Sequence, residues 1–208
     1  MDREREMRQQ NRIARNLRDS KLPLEKTLDT LYRERLQHKA DAHVNVLLEG
    51  SFIDLAENVL AIGNSGSGKI HLLCAIGQAL TYQGRRILFA PCNLLVQDLL
   101  IAKRDLKLSH VLRRLAKYDA LIIDNIGYVQ HSREEMEVLF ALIADRYERG
   151  RVMLTSNLPF SKWKRIFKDP MTTAAAIDRL VHHSIILELN LPSSWLEESQ
   201  KHRQKEVS

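Results

Sequence analysis

A glycine-rich segment directly after a short apolar run places the strongest constraint on how this chain folds. Residues 58–62 (NVLAI) lead into residues 63–70 (GNSGSGKI), which match the GxxxxGK core of the Walker A motif. Glycines let the backbone N–H groups wrap around a phosphate, and the helix that follows adds a partial positive charge. Lys69 supplies a point charge for the β- and γ-phosphates. The pattern predicts a strand, a phosphate-binding loop and a helix, in that order.

The last position of the loop departs from the motif. Walker A requires Ser or Thr after the lysine, because that hydroxyl ligates Mg²⁺. Ile70 stands there and keeps the β-branched shape of threonine without its oxygen. ATP and Mg²⁺ are the expected cofactors, with one metal ligand missing. The predicted nucleotide-binding residues are Gly63, Asn64, Ser65, Gly66, Ser67, Gly68, Lys69 and Ile70.

Apolar runs alternate with helix-length segments from residue 58 onward. The runs predict strands at 58–62, 86–90, 120–124, 151–155 and 184–189. Helices are predicted at 69–82, 93–103, 109–117, 132–150, 159–167 and 172–182, with Ser132 and Glu135 forming a capping box. This order favours an α/β fold of the P-loop NTPase type, with a five-stranded parallel sheet and helices on both faces. Two further helices are predicted at 1–20 and 25–37, so we divide the chain into a basic helical segment (1–45), a nucleotide-binding domain (46–190) and a polar tail (191–208).

An aspartate and an asparagine follow two of the predicted strands. Asp124 ends an apolar strand, as a Walker B carboxylate does, and would hold Mg²⁺ through water. The next residue, Asn125, carries an amide at the position where AAA+ proteins that hydrolyse ATP have a carboxylate base. An amide cannot accept the proton of water at neutral pH. Asn157 follows the fourth strand. It is either a sensor of the γ-phosphate or a plain loop residue before Pro159.

Bulk properties narrow the setting of the protein. The 208 residues suffice for one α/β domain with a short appendage, and no apolar window approaches the length of a membrane span. The N-terminus lacks the apolar stretch of a secretory signal. Cys74 and Cys92 form no metal-binding pattern and lie in apolar surroundings, as buried thiols in a reducing compartment do. A cytoplasmic protein is expected.

Positive charge is clustered along the chain. The net charge of +6 favours polyanionic partners, although each cluster could also be a solvated face. No base-reading motif is present, so we expect sequence-independent contacts with duplex DNA. The candidate DNA-binding residues are Arg8, Arg12, Arg15 and Arg18 on one helix face, and Lys162, Lys164 and Arg165 near Trp163. A weaker candidate cluster is Lys103, Arg104 and Lys107.

Several segments resemble IstB, the ATPase helper of certain insertion sequences, and more distantly the helicase loader DnaC. The resemblance covers roughly residues 20–190. It is carried by residues 57–60 (ENVL), 121–128 (LIIDNIGY), 155–158 (TSNL) and 174–183 (AAAIDRLVHH).

This resemblance implies an AAA+ protein that forms ATP-dependent homo-oligomers on duplex DNA and works with a transposase. It implies that Arg179 is an arginine finger for the γ-phosphate of a neighbouring subunit; the alternative is a surface arginine paired with Asp178. Two other functions remain open. One is a DnaC-like helicase loader, and the other is a degenerate relative that binds nucleotide or DNA without hydrolysing ATP. Ile70 and Asn125 leave open whether the chain is an active ATPase.

Overall fold

The secondary structure of the computed structural model alternates strands and helices as the sequence predicts. The strands are β1 (Asn58–Ile62), β2 (Ile87–Pro91), β3 (Ala120–Asp124), β4 (Arg151–Ser156) and β5 (Ser184–Glu188). The helices are α1 (Asp2–Ser20), α2 (His38–Glu49), α3 (Ser51–Asp54), α4 (Lys69–Tyr82), α5 (Cys92–Arg104), α6 (Leu108–Leu115), α7 (Arg133–Arg149) and α8 (Pro170–Val181). The structure describes residues 2–31, 33–35, 38–127, 132–163, 166 and 169–189. The predicted tail at 191–208 and the DNA-contact candidates Lys164 and Arg165 lie outside these residues.

The strands form one parallel sheet in the order β2-β3-β4-β1-β5. β1 lies between β4 and β5, and β3 lies on the other side of β4. The carboxyl ends of β1, β3 and β4 therefore meet at one edge, where open α/β sheets bind their ligands. The predicted five-stranded parallel fold is confirmed.

Alternate residues of the strands face two separate cores, one on each side of the sheet. In β1, Val59 and Ala61 pack with α2 and α4, whereas Leu60 packs with α5, α7 and α8. Both faces of the strands are covered, which explains why their sequences read as continuous apolar runs. The three layers are those predicted for a P-loop fold.

Both cysteines lie in these cores. Cys74 belongs to the α4 side and Cys92 to the opposite side, and both are free thiols. Burial raises the pKa of each thiol to about 12. The predicted burial of both free thiols is confirmed.

A buried arginine ties the amino ends of β3 and β4 to the end of α6. The guanidinium of Arg146 donates to the carbonyl oxygens of Leu115, Tyr118, Asp119 and Arg151. Burial lowers its pKa to about 10. This one side chain supplies hydrogen-bond donors to buried backbone carbonyls at the ends of three elements.

The helix predicted at 25–37 is wrong. The described residues in this range form turns and a short 3-10 helix at Arg33–Arg35, and the next helix begins at His38. The hydroxyls of Thr27 and Thr30 bond to each other's backbone N–H, and Thr30 Oγ1 also donates to the carbonyl of Glu25. Such local bonds compete with the helical ones.

Contacts with α4 hold the same stretch against that helix. Gln78 Nε2 donates to the carbonyl oxygens of Pro23 and Lys26 at 2.8 and 3.1 Å. His71 Nε2 bonds to the carbonyl of Thr27 and the hydroxyl of Thr30. We call residues 22–31 the strap, because it runs along α4 from its end towards its beginning.

In the described part of the helix predicted at 159–167, a 3-10 helix spans Phe160–Lys162 and Ile166 is α-helical. Trp163, expected beside a basic surface cluster, is fully buried, and its indole N–H donates to the carbonyl of Leu158. Its ring lies 5.0 Å from that of Phe160. Core packing of this tryptophan decides the path of the segment.

The predicted domain boundary at residue 46 falls inside α2. Val44 and Leu47 on either side of it are fully buried in the core that covers α4.

In the part of the chain that the structure describes, no helix has both the length and the apolar character to cross a membrane.

Candidate phosphate-binding site

The loop after β1 is shaped by close backbone contacts. A Cβ on Gly63 would lie 2.1 Å from the carbonyl oxygen of Leu189, so this position has room for glycine alone. Gly68 has a φ of 83°, a left-handed conformation that glycine adopts without strain, and α4 begins at the next residue. Glycine is therefore required at position 63 by the close approach of Leu189, which follows β5, and favoured at position 68 by the backbone conformation at the start of α4.

Lys69 is held within the loop. Its ammonium group donates to the carbonyl oxygens of Gly63 and Asn64 at 2.9 and 2.6 Å, and lies 3.3 Å from Ser67 Oγ. Burial lowers the pKa of this ammonium, and the charge of Asp124 acts in the opposite direction. The structure thus places a half-buried cation at the start of α4, where the helix dipole also favours an anion.

Asp124 and Asn125 reach the same cavity from the end of β3. Thr155 Oγ1 donates to Asp124 Oδ1 at 2.5 Å and accepts the Asn125 N–H at 2.7 Å. Asn125 has a φ of 66°, a left-handed conformation that asparagine adopts more readily than most residues. The sequence did not single out Thr155, although its position two residues before Asn157 on a buried strand could have drawn attention to it.

Asn157 lines the cavity, and its side-chain oxygen lies buried near Gly127. Among the described residues its buried Oδ1 has no hydrogen-bond partner. Ser156, just before it, holds the turn by accepting the N–H of Leu158 at 3.0 Å. The geometry is compatible with the predicted sensor position.

The loop, the end of β3 and the end of β4 enclose a cavity of about 200 Å³. Its lining residues are Ser65, Gly66, Ser67, Gly68, Lys69, Ile70, Asp124, Asn125, Thr155 and Asn157. Ligand pockets for whole small molecules span about 300–1,000 Å³, so this cavity suits the phosphate groups of a nucleotide rather than its base. A larger cavity of about 770 Å³ lies between α7 and α8, away from the glycine-rich loop.

The donor set fits a Mg²⁺ ion that arrives with phosphate. Within the described ranges, no group of three or more His, Cys, Asp and Glu side chains could hold a metal. Mg²⁺ commonly takes one or two carboxylates and fills its other positions with phosphate oxygens and water. Asp124 offers such a carboxylate beside the loop, whereas the partly buried side chain of Ile70 offers no oxygen.

Arg179 lies at the opposite end of β1 from this cavity. Asn58, the first residue of β1, donates through its amide to the carbonyl oxygens of Arg179 and Leu180 at 3.4 and 3.2 Å. Five steps along an extended chain, about 3.3 Å each, separate Asn58 from the first loop residue, Gly63, by about 16 Å, so Arg179 cannot reach the loop of its own chain.

The side chain of Arg179 packs on its own chain. Its guanidinium lies 5.0 Å from the ring centroid of Phe140 and donates to the carbonyl of Ala175. In the part of the chain that the structure describes, it makes no ion pair with Asp178. The arginine finger stays a prediction, because Arg179 could act only on a nucleotide bound away from the loop of its own chain.

The predicted basic face of α1 is on the surface. Arg8, Arg12, Arg15 and Arg18 are all exposed, and Arg8 forms an ion pair with Glu4. The helix rests on the turn after α4, where the Asn16 amide donates to the carbonyl of Gly84. Lys162 is also exposed.

The Lys103, Arg104 and Lys107 cluster is largely neutralised by its surroundings. Lys103 pairs with Glu137 at 2.7 Å, and Arg104 and Lys107 lie 3.8 Å from Glu134 and Asp105. Within the described residues, three nearby exposed cations have no acidic partner. They are Arg113, Arg114 and Lys117. The sequence analysis missed them, since charge spacing alone does not tell which cations are paired.

The parallel sheet, the loop between β1 and α4, and the carboxylate at the end of β3 define a P-loop protein of the AAA+ type. Solved structures share this fold. AMPPCP-bound DnaA from Aquifex aeolicus superimposes with a TM-score of 0.67 at 18% identity over 89% of this chain and 56% of that one. The DnaC helicase loader gives a TM-score of 0.65 at 19% identity over 80% of this chain and 98% of that one.

The chain belongs to the family of IstB-like ATP binding proteins, which its residues 1–204 match. It is 43% identical over 187 residues to an insertion-sequence ATP-binding protein of Sinorhizobium fredii, covering 89% of this chain and 63% of that protein. It is 36% identical over 195 residues to the IS21 ATP-binding protein of Pseudomonas aeruginosa, covering 93% of this chain and 73% of that protein. The predicted family is confirmed, and the chain spans under two thirds of the first relative's length.

Replacing Lys69 with alanine tests the site directly. The change removes a charge-assisted contact to phosphate, which contributes about 1.5–3 kcal/mol, so nucleotide affinity should fall roughly 10- to 150-fold. Titration of a fluorescent ATP analogue measures this. Lys107→Ala, which removes an exposed lysine outside the cavity, is the control and should bind as the wild type does. Equal affinity in all three proteins would remove the phosphate-loop assignment.

Proposed function

We propose that this protein binds ATP through the loop at 63–70 and acts as the helper of an insertion-sequence transposase. In this proposal it forms nucleotide-dependent homo-oligomers on duplex DNA. The observation that carries this proposal is the placement of Lys69 beside Asp124 in one cavity. Lys69 begins α4, and the other end of α4 contacts α1, which bears the basic face. The names of the insertion-sequence relatives agree with it.

The path from nucleotide to DNA runs along one helix. Lys69 opens α4, and Gly84 follows its end, where Asn16 of α1 attaches. The strap lies between these points and is bonded to His71 and Gln78. A ligand that shifts the start of α4 would therefore act on the element that carries Arg12, Arg15 and Arg18.

Hydrolysis is expected to be slow. A Mg²⁺ ion bound with ATP would rely on Asp124 and phosphate oxygens, because Ile70 adds no ligand. Asn125 can orient a water molecule but cannot take its proton, and loss of a general base alone costs roughly 10²–10⁴ in rate. ATP would then serve mainly to hold the assembled state.

Two other functions compete with this proposal. A helicase loader is favoured by the likeness in fold to DnaC, and a protein that binds nucleotide or DNA without hydrolysis is favoured by Ile70 and Asn125. Pull-down with a transposase and, separately, with a replicative helicase distinguishes the first from a transposition helper. Capture of the helicase alone would overturn the transposase assignment.

Restoring the two missing groups should raise ATP turnover. Ile70→Thr adds the metal-binding hydroxyl, and Asn125→Asp adds a carboxylate that tolerates the left-handed backbone at this position. We expect the double variant to hydrolyse ATP at least about 10²-fold faster than the wild type. Ile70→Val with Asn125→Asp is the control for shape without the hydroxyl and should recover less. Wild-type turnover equal to that of the double variant would contradict impaired hydrolysis.

The basic face of α1 should contact DNA phosphates. Changing Arg12, Arg15 and Arg18 to alanine should flatten the slope of log affinity against log salt by up to about three, at roughly 0.9 per phosphate neutralised. Affinities for unrelated duplexes should fall alike, because no base is read. The control removes three cations that lie in ion pairs, namely Lys26, Arg33 and Arg85, and should leave the slope nearly unchanged. An unchanged slope in the α1 variant excludes this helix as a contact.

Arg179→Ala should separate nucleotide binding from assembly. Each subunit should still bind the ATP analogue, because Arg179 lies at the far end of β1 from its own loop. ATP-dependent oligomers should fail to form, and the cooperative part of DNA binding should be lost with them. Sedimentation with and without nucleotide measures this, with the exposed Arg149 changed to alanine as control. Normal assembly by Arg179→Ala would exclude the arginine finger.

A further inference from the structure

Thr155 connects the two strands that carry the site. It lies near the end of β4 and is 1% exposed. Its hydroxyl group donates one hydrogen bond and accepts another. It donates to Asp124 Oδ1 and accepts the N–H of Asn125. Its carbonyl also accepts the N–H of Ile126 at 3.1 Å. Three consecutive residues, the last of β3 and the two that follow it, are thus tied to this one threonine.

The hydroxyl selects one orientation of the Asp124 carboxylate. Because the proton of Thr155 is committed to Oδ1, the other oxygen, Oδ2, remains available to a ligand in the cavity that Asp124 lines. The hydrogen bond from the Asn125 N–H holds the backbone of that residue in its left-handed conformation, and this fixes the position from which its side chain extends. A threonine hydroxyl used in this way orients a ligand rather than serving as one.

The chemistry of the cavity makes this orientation important. Among the residues that line the cavity, Asp124 is the one carboxylate, and Ile70 stands where the motif supplies a second oxygen. A divalent ion at this site has fewer protein ligands than the motif provides. Its position therefore depends more strongly on how Asp124 is held.

We propose that Thr155 is a positioning residue for Mg²⁺-nucleotide, acting through Asp124 and Asn125. This inference rests on the proposed nucleotide-binding function of the loop. Removing its hydroxyl weakens the coupling between Mg²⁺ and nucleotide while the loop itself still holds phosphate through Lys69 and the backbone amides. Loss of a hydrogen-bond partner of a metal ligand typically costs about 10–100-fold in metal affinity.

The test compares Thr155→Val, which keeps the shape, with Thr155→Ser, which keeps the hydroxyl. Affinity for a fluorescent ADP or ATP analogue is measured in EDTA and across a Mg²⁺ titration, using the full chain. In Thr155→Val the Mg²⁺ concentration at half-effect should rise about 10–100-fold, with affinity in EDTA close to that of the wild type. Thr155→Ser should restore the wild-type titration.

A matched control removes another buried threonine hydroxyl away from the site. Thr173 is 3% exposed and donates to the carbonyl of Asp169 at the start of α8. Thr173→Val should leave the Mg²⁺ titration unchanged, and thermal melting of every variant reports any loss of stability.

The outcomes separate this inference from the proposed function. No nucleotide binding by the wild type at any Mg²⁺ concentration would count against the phosphate loop itself, and with it the inference. Nucleotide binding that Mg²⁺ does not affect in the wild type would overturn the role of Thr155 and leave the loop intact. Equal loss of affinity with and without Mg²⁺ in Thr155→Val, or no rescue by Thr155→Ser, would show a role in stability alone and overturn the inference.

Discussion

The common direction of the strands is the constraint on which the site depends. Because β1, β3 and β4 run parallel and lie side by side, their carboxyl ends meet at one edge of the sheet. The glycine-rich loop leaves β1, Asp124 ends β3, and Thr155 stands near the end of β4. An antiparallel partner in this set would place one of these groups about a strand length away.

The two departures from the motif change how the site can work. With an isoleucine after Lys69 and an amide after Asp124, the cavity lacks two groups that the motif supplies for metal binding and for activating water, and our proposal of slow hydrolysis rests on this. The remaining carboxylate is oriented by a neighbouring hydroxyl, so the accuracy of the site depends on the pairing of β3 with β4. A protein of this design would respond to the presence of nucleotide more than to its turnover.

The helix after the loop joins this response to the rest of the molecule. α4 contacts the sheet on one side, and on the other it carries the strap and the end of α1. Gly77 lets it lie close to the sheet, since a Cβ there would be 2.7 Å from Ile122. Helix, strap and basic face thus form a continuous set of packed contacts.

The sequence by itself determined the loop, the order of the strands along the chain and the capping box at Ser132, because each signal lies within a few neighbouring residues. Local spacing could also name Asp124 and Asn157, but not the partner of Asp124, since Thr155 is 31 residues away and meets it only across paired strands. Tertiary packing likewise decided that the strap is not a helix, that Trp163 is buried, and that Arg179 lies far from its own loop. These outcomes depend on which elements become neighbours in space. That arrangement is set by the need to bury the apolar residues on both faces of the sheet together.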